Sequence, residues 1–274
     1  MSLAVDDFAF LRDLAERRSA LRLSDSKGYL VEARLAPLVQ RAGAASIGEL
    51  VTRMRRGDLD LQRQSVEALA TGETSFFRDP TLWAALRTVV IPERAAATSG
   101  PLSFWSAASS TGQEAYSLAL LLAQNFPSIP RSSILATDFS SSAVAAARTG
   151  RFTQLEVGRG LSATTLVTHF QRDGAAWQLA PAVRGLVEFR EHNLTALPVS
   201  IPLMDVILLR NVLIYFRPEA KVAALTTVAS RLKPGGYLAL GTAETLVGLD
   251  VRLQRVERGG TTWYQSPEQE SRPR

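Results

Sequence analysis

The stretch "SAASSTGQEAYS", residues 106–117, follows the apolar run "LSFWSA", and a second apolar run, "SILATD", ends in Asp138. Small residues let a backbone turn tightly and approach a ligand, and a helix opening after such a loop offers free N–H groups. Gly112 is the only glycine in that loop. A dinucleotide fingerprint needs three, because a pyrophosphate lies against bare backbone, and a Walker loop ends in Gly-Lys-Ser/Thr, which is missing here. The loop therefore suits something other than phosphates. Asp138 stands where a doubly wound nucleoside site takes hydrogen bonds from both ribose hydroxyls. A turn or a helix cap is the plainer role for such an acid. Other chemistries are thinly supplied. The chain has no cysteine, which excludes a disulfide framework, a thiolate metal site and a cysteine nucleophile. His169 and His192 are its only imidazoles, so a histidine-rich metal site is not expected and a Ser-His-Asp engine must use one of them.

The elements that must position these residues fall into two patterns. Over residues 1–70 the spacing predicts helices only: Phe8, Leu11 and Leu14, then Leu30, Leu35, Leu38 and Val39, then Ile47, Leu50, Val51 and Met54, with breaks at Gly28, Gly43 and Gly57. From residue 101, short apolar runs alternate with longer helical ones: "LSFWSA", "AYSLALLLAQNF", "SILATD", "SAVAAARTG", "LVEFREHNL", "PLMDVILLRN", "EAKVAALTTVASRLK" and "YLALGTAET". That alternation predicts a mostly parallel sheet covered on both faces, a doubly wound α/β domain whose ligand sits at the carboxyl ends of its strands. Residues 151–186 interrupt it, and Asp173-Gly174 between two short extended segments predicts a hairpin in a small inserted antiparallel β-subdomain. The expected organisation is a helical domain over 1–72, an α/β domain over 73–266 and a loose tail over 267–274. Adenosine without pyrophosphate points to S-adenosyl-L-methionine as the ligand.

Composition agrees with a chain that buries a sizeable core: of 274 residues, 46% are apolar and 21% charged. The net charge of +5 makes an acidic partner worth weighing, although a modest excess of arginine also serves simply to solvate a surface. The densest basic spot, with Arg53, Arg55, Arg56 and Arg63, is diluted by Asp58 and Asp60 and lacks the interleaved aromatics of a single-strand nucleic-acid platform. No nucleic-acid partner is expected. The N-terminus has acids ahead of its apolar residues and no cleavage-like site, and nowhere do eighteen apolar residues run together. A cytoplasmic protein without direct membrane insertion is expected.

Several segments in order resemble the CheR family of chemotaxis receptor glutamate methyltransferases. "TGETSFFRD", residues 71–79, is similar to the family's Thr-Asn-x-Thr-x-Phe-Phe-Arg segment; "WSAASSTGQEAYSLA" to its first cofactor loop; and "ATDFS" to its ribose-binding turn. "EFREHNL" and "LLRNVLIYF" resemble its third and fourth strand ends, "LKPGGYLALGTAETL" its closing strand and "SDSKGYLVEARLAPLV" its helical module. The resemblance covers nearly the whole chain. It implies a Rossmann-like S-adenosylmethionine-dependent methyltransferase domain with an inserted β-subdomain, preceded by a small all-helical domain. It also implies transfer of a methyl group to glutamate side chains on the cytoplasmic domain of methyl-accepting chemotaxis receptors, with S-adenosyl-L-homocysteine as product.

Carried over by position, the resemblance places Thr74 and Arg78 at the methionine part of the cofactor, with the Arg78 fork suited to its carboxylate. Phe76 and Phe77 then exclude water, or else staple a linker. Glu114 meets the methionine ammonium, although an ordinary first-turn acid is favoured by the helix dipole too. Asp138 holds the ribose, Asn193 and Leu194 frame the adenine, and Asn211 and Val212 line the reactive end; plain turn roles remain open for both asparagines. The reaction is an in-line displacement by a carboxylate that needs no general base, so alignment and exclusion of water carry the catalysis. Tyr215 is the first candidate for positioning the substrate carboxylate and Arg94 the second, with core packing the other role open to Tyr215. Gly72 departs from the family's asparagine and removes a side-chain amide. In some members the β-subdomain docks a receptor tail peptide, and no residue quoted marks such a groove here. Two rivals remain: a non-catalytic sensor of S-adenosylmethionine or S-adenosylhomocysteine, and a nucleic-acid methyltransferase.

Overall fold

A computed structural model describes residues 3–24, 28–98, 100–129, 132–196 and 201–267. The predicted loose tail lies almost entirely outside the described residues. The chain divides into two compact units, Met1–Thr71 with Tyr215–Lys221, and Gly72–Ile214 with Val222–Arg274.

The first unit holds α1 (Val5–Ser19), α2 (Gly28–Arg41), α3 (Ile47–Arg55) and α4 (Leu59–Leu69). Their starts follow local chemistry. Ser46 accepts a hydrogen bond from the Glu49 amide at the head of α3 and Asp58 accepts one from Leu61 at the head of α4. Left-handed glycines end two of the helices, Gly43 after α2 and Gly57 after α3. Of the apolar positions at helical spacing, Leu11, Leu35, Leu38, Leu50 and Met54 are fully buried, while Phe8, Leu30, Val39 and Ile47 are half-buried. An isolated bridge between Leu21 and Phe216 adds the one extended pairing of this unit among the described residues. The arginine run is largely absorbed within the unit: Arg53 pairs with Glu49, Arg63 with Asp60 and Glu67, and Arg55 lies over the Phe10 ring.

The second unit opens with α5 (Pro80–Ala85), a π-helical turn (Leu86–Val90) and α6 (Ile91–Ala97). There follow β1 (Ser103–Ala107), α7 (Gln113–Asn125), β2 (Ser133–Asp138) and α8 (Ser141–Thr149). The insertion comprises β3 (Arg151–Thr153), α9 (Gln154–Val157), α10 (Ala163–His169), β4 (Phe170–Asp173), β5 (Ala176–Leu179) and α11 (Pro181–Arg184). The chain returns through β6 (Val187–Glu191), β7 (Met204–Leu209), a 3-10 turn (Leu213–Tyr215), α12 (Pro218–Ala229), β8 (Leu232–Leu240), β9 (Gln254–Arg258) and β10 (Thr261–Gln265).

The main sheet runs β6-β2-β1-β7-β8-β10-β9. From β6 to β8 it is parallel, and β10 pairs antiparallel with both of its neighbours. β7 is buried at every position and β1 at all but its first, as central strands covered on both faces must be. Strand order reverses between β1 and β7, the switch point at which an open α/β sheet leaves a crevice. Register brings the ends level: Ala107 pairs with both Thr137 and Leu209, and Asp138 with Glu191. The residues that follow these strands therefore emerge along one edge.

The insertion folds its own antiparallel sheet, β3-β5-β4, turned at left-handed Gly174 as the Asp-Gly pair predicts. Its Phe152 and Phe170 clasp Phe76 edge-on at 5.0 and 5.8 Å between centroids, and Phe76 is 1% exposed. Among the described residues no helix is long and apolar enough to cross a membrane.

Candidate functional site

Beyond β1 the chain turns through left-handed Ala108 and Ser110 to Gly112, which opens α7. Gly112 has φ +97°, and a Cβ there would lie 3.0 Å from the Ala147 Cβ and 3.1 Å from the Phe189 ring. The loop is tied to its neighbours. The Ser110 amide donates to Asp138 Oδ2 at 2.8 Å and the Ser140 amide to Oδ1 at 2.9 Å. The Asp138 carbonyl accepts from the His192 amide at 2.8 Å, and the Ser110 hydroxyl donates to the Gly72 carbonyl at 2.6 Å. Gly72, unable to offer a side-chain amide, thus joins the site through its backbone. Each Asp138 oxygen thus takes a backbone amide, one from the β1–α7 loop and one from the turn after β2, which fixes the carboxylate between them.

A second set of bonds centres on Arg210, the residue after β7, whose side chain is only 2% exposed. One guanidinium nitrogen donates to Glu114 Oε2 at 2.9 Å; the other donates to the Arg78 carbonyl at 3.0 Å and to the Asp79 carboxylate. Glu114 Oε1 accepts from the Ser106 hydroxyl at 2.7 Å. Left-handed Asn211 follows, its amide donating to Glu244 Oε2 at 2.8 Å, the oxygen that also takes the Gly241 amide at 2.8 Å. A Cβ on Gly241 would sit 2.7 Å from the Asn211 side-chain Nδ2, 2.8 Å from Glu244 Oε2 and 3.0 Å from the Asn211 backbone nitrogen, so a larger residue would press these two turns apart. Of six non-glycine residues with positive φ among those described, five lie here: Phe77, Asp79, Ala108, Ser110 and Asn211. Each costs about 1–2 kcal/mol and persists only where surrounding bonds impose it, a pattern typical of ligand sites.

The sequence-derived candidates divide accordingly. Glu114, Asp138, Asn193, Leu194, Asn211 and Val212 lie at or after the carboxyl ends of β1, β2, β6 and β7, and the bonds above tie Glu114 to the Arg78 carbonyl through Arg210, Asp138 to the first loop and Asn211 to Glu244. The Arg78 side chain has only a long 3.4 Å bond to the Glu73 carbonyl and is available for an anion. Asn193 Oδ1 accepts from the Thr195 amide at 3.0 Å and from its hydroxyl at 2.9 Å, and Leu194 is buried. Thr74 is half-buried in the segment leading to Arg78. Phe77 donates its amide to Ser117 Oγ at 2.9 Å and packs edge-on against Trp83, so both phenylalanines anchor this segment. Tyr215 groups with the helical unit, where its carbonyl accepts from the Arg22 amide at 2.8 Å.

Arg94 is a correction. It is buried on α6 and donates to Asp205 Oδ1 at 3.0 Å, and Asp205 is the second residue of β7, at the amino end of the sheet. Lys233 and the Ser103 amide share Asp205 Oδ2, so Arg94 neutralises a buried carboxylate across the sheet from the crevice. Burial pushes the Asp205 carboxyl up, but hydrogen bonds from Lys233, Ser103 and Arg94 outweigh it and hold the group below the usual carboxylate range.

Arg210, Glu244, Ser106 and Ser110 escaped sequence reasoning. The charge of Arg210 at the end of the apolar run "MDVILL" was the signal that marked it. His192 is half-buried, burial lowers its imidazole pKa, and its Nε2 is buried without a partner, as is Ser109 Oγ in the first loop. A left-handed cradle, two carboxylates at the strand ends, a loosely held guanidinium and orphaned polar atoms fit a zwitterionic nucleoside rather than a diphosphate. Among the described residues no cluster could hold a metal ion.

The family description "CheR methyltransferase, SAM binding domain" matches residues 72–261, and "CheR methyltransferase, all-alpha domain" matches residues 6–70. Chemotaxis protein methyltransferase 1 of Pseudomonas aeruginosa is 39% identical over 264 residues, 94% of this chain and 96% of that protein. Chemotaxis protein methyltransferase Cher2 of Pseudomonas putida is 38% identical over 276 residues, 97% and 100% of the two chains. The chemotaxis protein methyltransferase of Vibrio parahaemolyticus is 40% identical over 247 residues, 88% and 90%. The chain belongs to the CheR methyltransferase family and is an S-adenosylmethionine-dependent methyltransferase of chemotaxis.

Proposed function

We propose that the enzyme esterifies glutamate side chains on the cytoplasmic helices of methyl-accepting chemotaxis receptors, working in the cytoplasm. The observation that carries this reading is the crevice at the β1–β7 switch, where Glu114 and the backbone of Arg78 are fixed by one buried arginine. In that crevice Glu114 pairs with the cofactor's ammonium and Arg78, with Thr74 beside it, takes its carboxylate. Asp138 accepts from the ribose hydroxyls, Asn193 and Leu194 meet the adenine, and Asn211 and Val212 border the transferring group. S-adenosylmethionine supplies an electrophilic methyl when bound. The attacking group is a glutamate carboxylate, already deprotonated near neutral pH, so no proton must be removed. The protein's task is alignment and exclusion of water. Tyr215 is assigned to orient the substrate carboxylate by a hydrogen bond gentle enough to leave it nucleophilic. A non-catalytic sensor is not favoured, because the relatives that match almost end to end are named methyltransferases.

Incubating the enzyme with methyl-labelled cofactor and a receptor cytoplasmic fragment tests this. Base-labile label on glutamate supports the reading; tight cofactor binding with no transfer, or label on nucleic acid, overturns it.

A further inference from the structure

We infer that Arg210 is the residue that sets the spacing between the two charged grips for the cofactor's amino-acid end, and so makes the site selective for a nucleoside bearing a zwitterion. The inference rests on the roles given above to Glu114 and Arg78. Arg210 is buried, yet it bonds two elements that are far apart in sequence. It donates to Glu114 Oε2 at 2.9 Å, to the Arg78 carbonyl at 3.0 Å and to the Asp79 carboxylate. Glu114 belongs to the first turn of α7, whereas Arg78 and Asp79 close the segment that precedes α5. One planar fork therefore fixes the position of the carboxylate that receives an ammonium and the backbone from which the guanidinium that receives a carboxylate departs.

The conformation of Asp79 points the same way. Asp79 occupies the N-cap position of α5, a place where an aspartate normally accepts from the helix's own amides, but it makes no side-chain cap bond. It sits instead in the left-handed region at φ +63° and spends its carboxylate on Arg210. A capping residue held in a strained conformation to reach a buried arginine is explained by the arginine's position, not by the helix. The Arg78 carbonyl is held twice, by Arg210 and by the Trp83 indole N–H at 2.8 Å, while its side chain stays loosely engaged. The anchor is rigid and the grip is available. With Glu114 and Asp79 both negative, Arg210 neutralises only one of the two, which leaves a residual negative charge suited to an ammonium.

Arg210 acts through Glu114 and Arg78 and is a positioning residue. Its signature is a selective loss. Calorimetric titration with S-adenosylhomocysteine is compared with 5′-methylthioadenosine, which keeps the adenosine and thioether but lacks the amino-acid end. Arg210→Met is expected to weaken S-adenosylhomocysteine by about tenfold or more, the scale of losing charge-assisted bonds, and to leave methylthioadenosine within about twofold. Arg210→Lys keeps the charge without the fork and falls between. In turnover, KM for the methyl donor rises while kcat at saturation changes little. Where Arg210→Met fails to fold, Asp79→Asn serves instead, loosening the segment end alone, with a smaller loss of the same selective kind. Parallel losses for both ligands, or no loss for either, overturn the role given to Arg210. A wild-type protein that takes up neither ligand overturns the cofactor assignments on which it rests.

Discussion

Gly160→Ala tests whether the inserted β-subdomain holds the segment that carries Thr74 and Arg78. Gly160 has φ +99°, and a Cβ there would lie 1.8 Å from the Phe76 carbonyl oxygen, so one backbone must retreat by well over an ångström. Left-handed strain alone costs about 1–2 kcal/mol in a non-glycine residue. Dislodging Phe76, which is 1% exposed and clasped by Phe152 and Phe170, approaches the about 3–5 kcal/mol of deleting a buried phenylalanine side chain. Gly174 is the internal control: it has φ +61° in the same subdomain, with nothing within 4 Å of an added Cβ. At about 2–4 °C per kcal/mol, Gly174→Ala lowers the melting temperature of the catalytic unit by about 2–8 °C and Gly160→Ala by at least twice that. Calorimetric melting measures both, and titration with S-adenosylhomocysteine on the same samples should show weakened binding for Gly160→Ala alone. If the two variants melt within about 2 °C of each other and bind equally, Phe76 does not hold the segment.

Arg94→Met leaves Asp205 without its α6 partner and should cost about 3–5 kcal/mol in denaturant unfolding while kcat stays within about threefold; a collapse of kcat in folded protein would return Arg94 to the reaction. Because Asp205 binds its proton less readily folded than unfolded, its stabilisation is present above the unfolded carboxylate pKa and is lost as pH falls through and below about 4, so Asp205→Asn should flatten the acid limb of a stability profile. Glu244→Gln takes a charged acceptor from the Asn211 and Gly241 amides and should cost about 1.5–3 kcal/mol, read as reduced melting temperature together with a raised KM for the methyl donor. His192→Gln should keep kcat within about threefold at saturating cofactor; a loss of about a hundredfold would mean that a proton is transferred after all.

The fold was legible because its signals are local. The apolar runs of β1, β2 and β7, the glycines after α2 and α3 and the Asp173-Gly174 turn each act within a few residues of themselves. The loop before α7 and the acid ending β2 were legible for the same reason. Arg210 was not, since its partners Glu114 and Asp79 lie 96 and 131 positions away, and no periodicity encodes a bond of that span. Arg94 misled because a helical sequence does not say which end of the sheet its helix serves; the Asp205 carboxylate that claims it is 111 positions distant. Phe76 was open between water shield and staple until Phe152 and Phe170 from the insertion closed around it.

The strained residues explain why the polar residues of the crevice are buried and bonded to backbone. Ser110 is held left-handed by donating its amide to Asp138, Asn211 by donating to Glu244 and Phe77 by donating to Ser117, while Asp79 is held through its carboxylate by Arg210. For Ser110, Asn211 and Asp79 the partner is charged, and such bonds contribute about 1.5–3 kcal/mol each, enough to offset about 1–2 kcal/mol of left-handed strain. Asp138 therefore ties the loop before α7 to the turn after β2 with one carboxylate, taking an amide from each. A displacement that needs no base depends on where atoms sit, and here the groups that grip the ligand also fix the turns around it. Substitutions at Asp138 or Arg210 should consequently lower stability and affinity together, whereas Arg94, bonded only at the far edge of the sheet, should lower stability alone.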